Sequence, residues 1–481
     1  MSTGYPRRQS TSTPNTKFDL PHMGSGRPVH RLGVIATVAT FGGLLFGYDT
    51  GVVNGALEPL SEDFGLSPLS EGLVVASLMV GAAFGAVFGG RVADAQGRRK
   101  TILLLACVFI AGTLGCVLAP GAEFLIGSRF VLGIAVGGAS ATVPVYLGEI
   151  APSEKRGSFV TRNELMIVGG QLAAFIINAV IFNFFGHVDS IWRWMLVVAL
   201  APAIALLVGM LFQPESPRWL ISQGRSDEAL AVLRQVRSPE RAEAEVAEVT
   251  HLAAEDAKES TGGLSDLGTR WVMRLVIIGV GIGFFQQLTG INSVMYYGTQ
   301  LLTNAGLDSG VAIIGNIANG VFSLAGISLG MYLLNKLPRR VMFLTGYALI
   351  ALFHTLVALT AVVVPAGPGQ AWTVLAFLVL FVFCMQGTVG PLTWLMLSEI
   401  FPMKIRSFAM GICVFVLWMM NAVVAQFFPP LIQGMGMTAT FGMFAGIAVI
   451  AFVFLAFLLP ETKDKDLAQF EREFKAEYGR K

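Results

Sequence analysis

Long apolar segments alternate with short polar segments along most of the chain. Twelve of the apolar segments approach the ~20 residues that a helix needs to cross a bilayer. They lie near residues 32–55, 70–90, 101–118, 124–147, 160–184 and 193–212, and then near 271–302, 309–334, 341–364, 371–398, 407–432 and 438–459. The pattern predicts an all-α membrane protein with twelve transmembrane helices, numbered here as spans 1–12 and arranged as six plus six.

The rest of the chain is polar. Residues 1–30 are rich in Ser, Thr, Pro and Arg and lack the apolar core of a signal peptide, so we expect a disordered tail. Residues 213–270 mix helix-forming residues with interspersed charges, which predicts short amphipathic helices in a linker. This linker joins a six-helix bundle at 31–212 to a second one at 271–459, and residues 460–481 form a C-terminal tail.

The composition favours a polytopic membrane protein. Of the 481 residues, 54% are hydrophobic and only 13% are charged, about half the charged share of a soluble domain. The four cysteines lie in apolar segments without a CxxC pair, and the five histidines show no ligand spacing. We therefore expect no disulfide framework, metal site or cofactor. No Walker-type loop occurs, and no nucleic-acid partner is expected.

Basic residues are concentrated in alternate loops. The loops after spans 2, 4, 8 and 10 carry clusters of Arg and Lys, whereas the opposite loops carry mainly acidic residues such as Glu58, Glu123 and Asp308. Positively charged loops remain on the cytoplasmic side of a membrane. Both termini and the linker are therefore predicted to be cytoplasmic, in a protein of the plasma (inner) membrane.

The two halves of the chain repeat each other. GRVADAQGRRK before span 3 matches GMYLLNKLPRR before span 9, and GEIAPSEKRG after span 4 matches SEIFPMKIRS after span 10. PESPRW and PETKDK, and YDTGVVN and QLTGINS, match in the same order. Transporters built from such repeats bind substrate near the membrane midplane, between the repeats. The repeat thus predicts two pseudo-symmetric six-helix bundles with a site between them.

Together these motifs, over residues 31–465, resemble the major facilitator superfamily and, within it, the sugar porter family. GGLLFGYDTGVVNGAL, RNELMIVGGQLAAFIINA and WLMLSEIFP are most similar to bacterial inositol–proton symporters. The resemblance implies the alternating-access major facilitator fold and a monosaccharide or cyclitol substrate. Two positions depart from the family pattern: Pro338 replaces a Gly in the second cytoplasmic motif, and Leu417 stands where animal glucose facilitators have Asn.

A neutral polyol carries many hydroxyls, so its site needs side chains that both donate and accept hydrogen bonds. Amides do both, and an aromatic surface can cover the ring. Amides are few within the apolar spans and are costly there unless paired. The resemblance implies sugar contacts at four amides and one tryptophan: Gln171, Gln286, Gln287, Asn292 and Trp394. The alternatives are amides that only join helices and a tryptophan at the membrane interface.

Span 7 contains a predicted break. Asn292 does not share the helix face of Gln286 on a straight helix. Thr289 and Gly290 lie between them and indicate an unwound segment, a common feature of transporter sites. The break would allow the amides on both sides to face one substrate.

Spans 8 and 11 supply further candidates. Asn316, Asn319 and Ser323 share one helix face through their spacing, which leaves open which of them contacts substrate; Asn319 is kept as the candidate. Trp418 and Asn421 are i, i+3 neighbours and could both face the cavity.

Two charges are predicted deep in the membrane. Asp49 follows the cytoplasmic Arg31 by about 18 residues, or ~27 Å of helix. Arg129 lies ~9 Å past the outer Glu123, at a similar depth. An unpaired charge in a membrane costs at least ~2.5–3.5 kcal/mol, so we expect the two to pair. The pair could be static, or it could couple transport to protons, as proton-coupled family members resemble this chain at Asp49.

A third group of charges lies at the predicted cytoplasmic ends of the spans. Asp94 and Arg98 can pair at i, i+4. By resemblance the group latches the two bundles together when the transporter faces outward; it comprises Asp94, Arg98, Arg99, Glu149, Arg156, Arg340, Glu399 and Arg406. The alternative, orientation of the chain by positive charge alone, does not explain the acidic members.

The sequence thus predicts a proton-coupled secondary importer of a neutral polyol or monosaccharide, with myo-inositol first and a hexose or pentose second. A transporter-like sensor, a membrane enzyme and a drug exporter are less consistent with the short C-terminal tail, the lack of a nucleophile–histidine pair and the amide-rich span 7. The expected partners are the substrate, a proton and the lipid bilayer, and the expected functional unit is a monomer.

Overall fold

The computed structural model describes residue 21 and residues 27–256, 269–402, 405–463, 465 and 467–478, and the regular elements within them are all helices. Eighteen α-helices follow in order: α1 (Arg27–Phe64), α2 (Pro68–Gln96), α3 (Arg98–Val117), α4 (Ala122–Ile150), α5 (Arg156–Phe185), α6 (Ile191–Val197), α7 (Leu200–Leu211), α8 (Pro217–Ser222), α9 (Ser226–Val236), α10 (Pro239–Asp256), α11 (Arg270–Leu288), α12 (Ile291–Asn304), α13 (Ser309–Leu334), α14 (Arg339–Val363), α15 (Pro368–Gly387), α16 (Val389–Glu399), α17 (Arg406–Leu458) and α18 (Leu467–Tyr478). Residues 1–20 and 22–26 of the predicted tail lie outside the described residues, and residues 27–30 are already helical.

The helices reproduce the predicted spans. Helices α1–α5 are spans 1–5, α6 with α7 is span 6, α11 with α12 is span 7, α13 and α14 are spans 8 and 9, and α15 with α16 is span 10. Eleven helical segments of the described chain are long and apolar enough to cross a membrane. The last of these contains spans 11 and 12, so the prediction of an all-α, twelve-span membrane protein is confirmed.

Spans 11 and 12 are not separated by a loop. They are two helices that follow one another directly within α17 and meet at a kink at Gly436, which has φ +76°. Glycine reaches this left-handed region without steric cost. The segment around it, QGMGM, contains only one polar residue, Gln433, and helix continues on both sides of Gly436.

Helices of the first half approach one another to backbone contact. A Cβ atom at Gly47 of α1 would lie 1.7 Å from the carbonyl oxygen of Ile167 in α5. A Cβ atom at Gly81 of α2 would lie 2.2 Å from the carbonyl oxygen of Phe130 in α4. Small residues permit such close packing in lipid, where van der Waals contact holds helices together. Glycine thus fixes α1 against α5 and α2 against α4.

Hydrogen bonds join the two halves at the end away from the linker helices α8–α10. Near that end, the backbone of Gly72 in α2 packs on the carbonyl of Gln426 in α17, and the Gln426 amide donates to the carbonyl of Leu69 at 2.9 Å. Ser309 at the start of α13 donates to Glu58 of α1 at 3.0 Å. Within the described residues, the hydrogen bonds between the halves gather at this end.

The linker and the C-terminal helix are fixed to the bundles. The buried Arg237 donates to the carbonyl of Ile150 at the end of α4 (3.0 Å) and pairs with Glu245 at 3.1 Å. At the other half, the Arg274 guanidinium lies 3.9 Å from the ring centre of Tyr478. Both segments therefore move with the spans that they contact.

Candidate functional site

The predicted break in span 7 is confirmed. Helix α11 ends at Leu288, Gly290 has φ +78°, and α12 begins at Ile291. A Cβ atom at Gly290 would lie 2.9 Å from the Phe444 ring, so glycine is required there both by conformation and by space. Across the break, the Asn292 amide donates to Oε1 of Gln287 at 2.5 Å.

Several polar atoms near the centre of the protein are buried without a hydrogen-bond partner. They include Oε1 of Gln171, which is 8% exposed, Oε1 of Gln286 and Nε1 of Trp418. Most buried polar atoms in proteins are hydrogen-bonded. Spans 5, 7 and 11 thus offer two acceptors and one donor with which the hydroxyl groups of a ligand could form hydrogen bonds.

Span 11 places its two candidates differently. Asn421 donates to the Tyr296 hydroxyl at 3.2 Å and contacts the sulfur of Met79 at 3.3 Å. The Trp418 ring packs on Phe46 of α1 at 5.5 Å between ring centres. Asn421 is therefore held by other side chains, whereas the Trp418 indole keeps its N–H free. Sequence reasoning missed Tyr296, whose only signal was a polar tip in an apolar helix.

The span 8 amides belong to a network that crosses between the halves. Asn319 donates to Oδ1 of Asn316 at 2.7 Å, and Asn316 donates to Oδ1 of Asn54 at 2.7 Å. Oδ1 of Asn54 also accepts from the backbone and hydroxyl of Thr299, at 3.0 and 2.6 Å. Asn316 thus joins helices, while Oδ1 of Asn319 is buried without a partner and keeps Asn319 as a candidate.

Asn54 was missed by sequence reasoning. Its signal was the motif YDTGVVN, in which it is the second polar residue after Asp49 to interrupt an apolar span. Trp394, the predicted ring-covering residue, is 38% exposed. Trp394 lies in α16, after the break between α15 and α16 at Thr388.

Asp49 and Arg129 are both buried, at 3% and 2% exposure. The expectation that they pair directly is wrong for this structure. Nε of Arg129 donates instead to the carbonyl of Val74 in α2 at 2.8 Å. Oδ2 of Asp49 and Nη2 of Arg129 have no hydrogen-bond partner. Each of the two charges thus keeps a free polar atom.

In the first half, three of the predicted latch residues bind one another, and two bind backbone carbonyls. Arg98 pairs with Asp94 at 3.0 Å, as its spacing predicted, and with Glu149 at 2.9 Å. Arg99 donates to the carbonyl of Met210 at 3.1 Å, and Arg156 to a carbonyl of α4 at 3.0 Å. These contacts tie α3, α4 and the end of α7 together within one bundle.

The second half repeats the arrangement with one difference from expectation. Arg339, which was not among the predicted latch residues, pairs with Glu399 at 3.3 Å. Arg340 donates to the carbonyl of Ala456, and Arg406 donates to a carbonyl at 3.3 Å. The signal for Arg339 was the aligned repeat, in which it corresponds to Arg98. The contacts of both clusters lie within their own half here, so a latch between the bundles remains a prediction.

Comparison with known proteins places the chain in a family. The family model "Sugar (and other) transporter" matches residues 35–474. The major myo-inositol transporter IolT of Bacillus subtilis (strain 168) is 48% identical over 453 residues, covering 94% of this chain and 96% of that protein. The glucose transporter GlcP of Staphylococcus epidermidis is 36% identical, covering 93% and 98%.

Solved structures give the same result. The xylose transporter XylE from E. coli, in a partially occluded inward-open conformation, superposes with a TM-score of 0.79 at 28% identity, covering 90% of this chain and 99% of that one. A second structure of XylE, described as a major facilitator superfamily proton:xylose symporter, superposes with a TM-score of 0.76 at 29% identity, covering 92% of this chain and 99% of that one. The relatives are transporters and not enzymes, as the sequence predicted. The chain belongs to the sugar transporter family of the major facilitator superfamily and is a multi-pass membrane transporter.

Proposed function

We propose that the protein is a proton-coupled importer of a neutral polyol or monosaccharide, with myo-inositol as the first candidate. The observation that carries the proposal is the pair of buried charges, Asp49 and Arg129, each with an unbonded polar atom. An intramembrane charge is costly and is usually retained for function. A carboxylate that is not locked in an ion pair is free to gain and lose a proton.

The choice of substrate rests on the side chains near the centre. Amide oxygens of Gln171 and Gln286 and the indole N–H of Trp418 offer acceptors and a donor to ligand hydroxyls. The similarity to a myo-inositol transporter at 48% identity favours a cyclitol. A hexose or pentose is the second candidate, because a glucose transporter and a D-xylose transporter are similar at 36% and 34% identity.

The proposed cycle follows alternating access. Positive loops place the linker side in the cytoplasm, so the hydrogen bonds that join the two halves lie on the outer side. Protonation of Asp49 outside would weaken its attraction to Arg129 and let spans 1 and 4 rearrange around bound substrate. After inward opening, the proton leaves with the substrate, and the attraction between the two charges is restored.

The test uses purified protein in proteoliposomes loaded at high internal pH. Labelled myo-inositol should accumulate above its equilibrium level under the inward proton gradient, and a protonophore should abolish the excess. Unlabelled glucose and xylose, added as competitors, rank the substrates. Uptake that merely equilibrates would contradict proton coupling, whereas binding without any translocation would favour a sensor.

A further inference from the structure

His354 lies within α14 and has no role in the function proposed above. Its side chain is fully buried, at 0% exposure. The imidazole is surrounded by the rings of Phe381, Phe441 and Phe444, with ring centres 4.2, 5.5 and 5.7 Å away. Ionisable side chains are rare in membrane spans and are usually functional there, so this histidine needs a reason.

The imidazole makes a single hydrogen bond to a backbone atom. Its Nε2 lies 2.7 Å from the carbonyl oxygen of Thr289. A carbonyl oxygen only accepts, so Nε2 carries the proton and donates it. Thr289 lies between α11 and α12, where the helical ladder stops and a carbonyl loses its helical partner. His354 therefore donates to Thr289 the hydrogen bond that a backbone N–H would donate in a continuous helix.

The same aromatic group also contacts the next residue of the break. Gly290 approaches Phe444 so closely that a Cβ atom there would lie 2.9 Å from the ring. Phe444 in turn packs against His354. Span 9, through the histidine, and span 12, through the phenylalanine, thus hold two consecutive residues of span 7 from the side.

The residues on either side of this break are the proposed substrate amides. Gln287 precedes it and Asn292 follows it, and their side chains bond to each other at 2.5 Å. Any shift in the direction of α12 relative to α11 would change the distance between these two amides. The carbonyl that His354 holds is between them in the chain.

We propose that His354 is a positioning residue of the transport site: its bond to the Thr289 carbonyl fixes the break in span 7 and thereby the geometry of Gln287 and Asn292. The substrate part of this inference rests on the proposed function, because it assumes that these amides bind polyol. The bracing of the break does not depend on that assumption.

The experiment compares four variants of the full-length purified protein. His354→Leu removes the donor. His354→Asn keeps a polar side chain that is too short to reach Thr289, and His354→Gln places a donor near the position of Nε2. Thr360→Val, on the same helix, removes a buried hydroxyl that bonds only the carbonyl of Leu356 and serves as the matched control.

Two measurements are made on each variant: the dissociation constant for myo-inositol, and hydrogen–deuterium exchange of the amides at 289–294. We expect His354→Leu and His354→Asn to weaken binding about three- to tenfold, the value of one net hydrogen bond, and to exchange faster at the break. His354→Gln should restore both, and Thr360→Val should change neither.

The outcomes separate the two proposals. Normal affinity and normal exchange in His354→Asn, with or without a lowered melting temperature, would overturn the positioning role. If His354→Leu does not fold, the comparison of the Asn and Gln variants still decides. If the wild-type protein binds no polyol, the proposed substrate is wrong, and exchange at 289–294 still tests whether His354 braces the break.

Discussion

Asn316 donates its amide to Oδ1 of Asn54 at 2.7 Å, across the boundary between the two halves. The Asn54 amide in turn donates to the carbonyls of Val294 and Met295 in α12, at 3.2 and 2.7 Å. One side chain of span 1 thus satisfies donors and acceptors on spans 7 and 8. This network closes the end of the protein away from the linker.

Asn54→Ala should open this end. Buried donors on Thr299 and Asn316 would lose their acceptor, at about 1–3 kcal/mol, which corresponds to a roughly 5- to 150-fold shift toward the outward-open state. Spin labels at the exposed Leu118 and Val363 would report the change as longer distances in a double electron–electron resonance experiment. Asn335→Ala is the control, because the exposed Asn335 amide donates to a carbonyl of its own helix, that of Met331. Unchanged distances in Asn54→Ala would show that other contacts close this end.

Gln287→Ala should weaken substrate binding about three- to tenfold without unfolding the protein, because one hydrogen bond to a neutral hydroxyl contributes about 0.5–1.5 kcal/mol. The dissociation constant is measured by titrating purified protein. Gln386→Ala is the matched control, since Gln386 is an amide that bonds Ser323 between helices at 2.9 Å. Equal affinities for both variants and wild type would show that Gln287 only joins helices.

Arg98→Ala should destabilise the protein, because it leaves the Glu149 carboxylate without its charged partner in a half-buried site. Hydrogen bonds to charged groups contribute about 1.5–3 kcal/mol. Arg225→Ala removes an exposed ion pair with Glu228, and exposed ion pairs contribute little to stability. Thermal unfolding in detergent should therefore show a clear decrease for the first variant and little for the second. Equal decreases would mean that Arg98 contributes no more than a surface charge.

Asp49→Asn should abolish uphill accumulation while exchange survives. Asparagine keeps the size of the side chain but cannot carry a proton, whereas the amides proposed to bind substrate are untouched. Active uptake under a pH gradient and counterflow without a gradient are measured in the same proteoliposomes. Accumulation at the wild-type level would exclude the coupling role, and loss of both activities would instead favour a static electrostatic role of Asp49.

Local features of the site could be predicted from the sequence. The break at Thr289 and Gly290 follows from residues that disfavour a continuous helix, and the Asp94–Arg98 pair follows from i, i+4 spacing. In both, the interacting groups lie within one or two turns, so their geometry is set by the helix alone. The number of spans was predictable for the same reason, since each span is defined by its own apolar length.

Contacts between distant segments could not be predicted in the same way. The sequence placed Asp49 and Arg129 at similar depth, but depth does not show which groups of neighbouring helices lie nearest to Arg129. In the structure Arg129 binds the carbonyl of Val74. Asn54 and His354 were missed because their partners, Asn316 and the Thr289 carbonyl, are far away in the chain. Their roles depend on the packing of four separate helices.

The glycine contacts of the first half determine how the two deep charges can approach. Asp49 is on α1, which Gly47 joins to α5, and Arg129 is on α4, which Gly81 of α2 approaches to backbone contact. Rotation of α1 or α2 about its own axis would bring a larger side chain against the neighbouring backbone, where only glycine fits. Asp49 therefore moves together with the α1–α5 pair, and Arg129 moves together with the α2–α4 pair. A change in the distance between the two charges requires either a new rotamer of the arginine or a slide of one helix pair along the other. In the second case, binding of a single proton would be accompanied by movement of four helices.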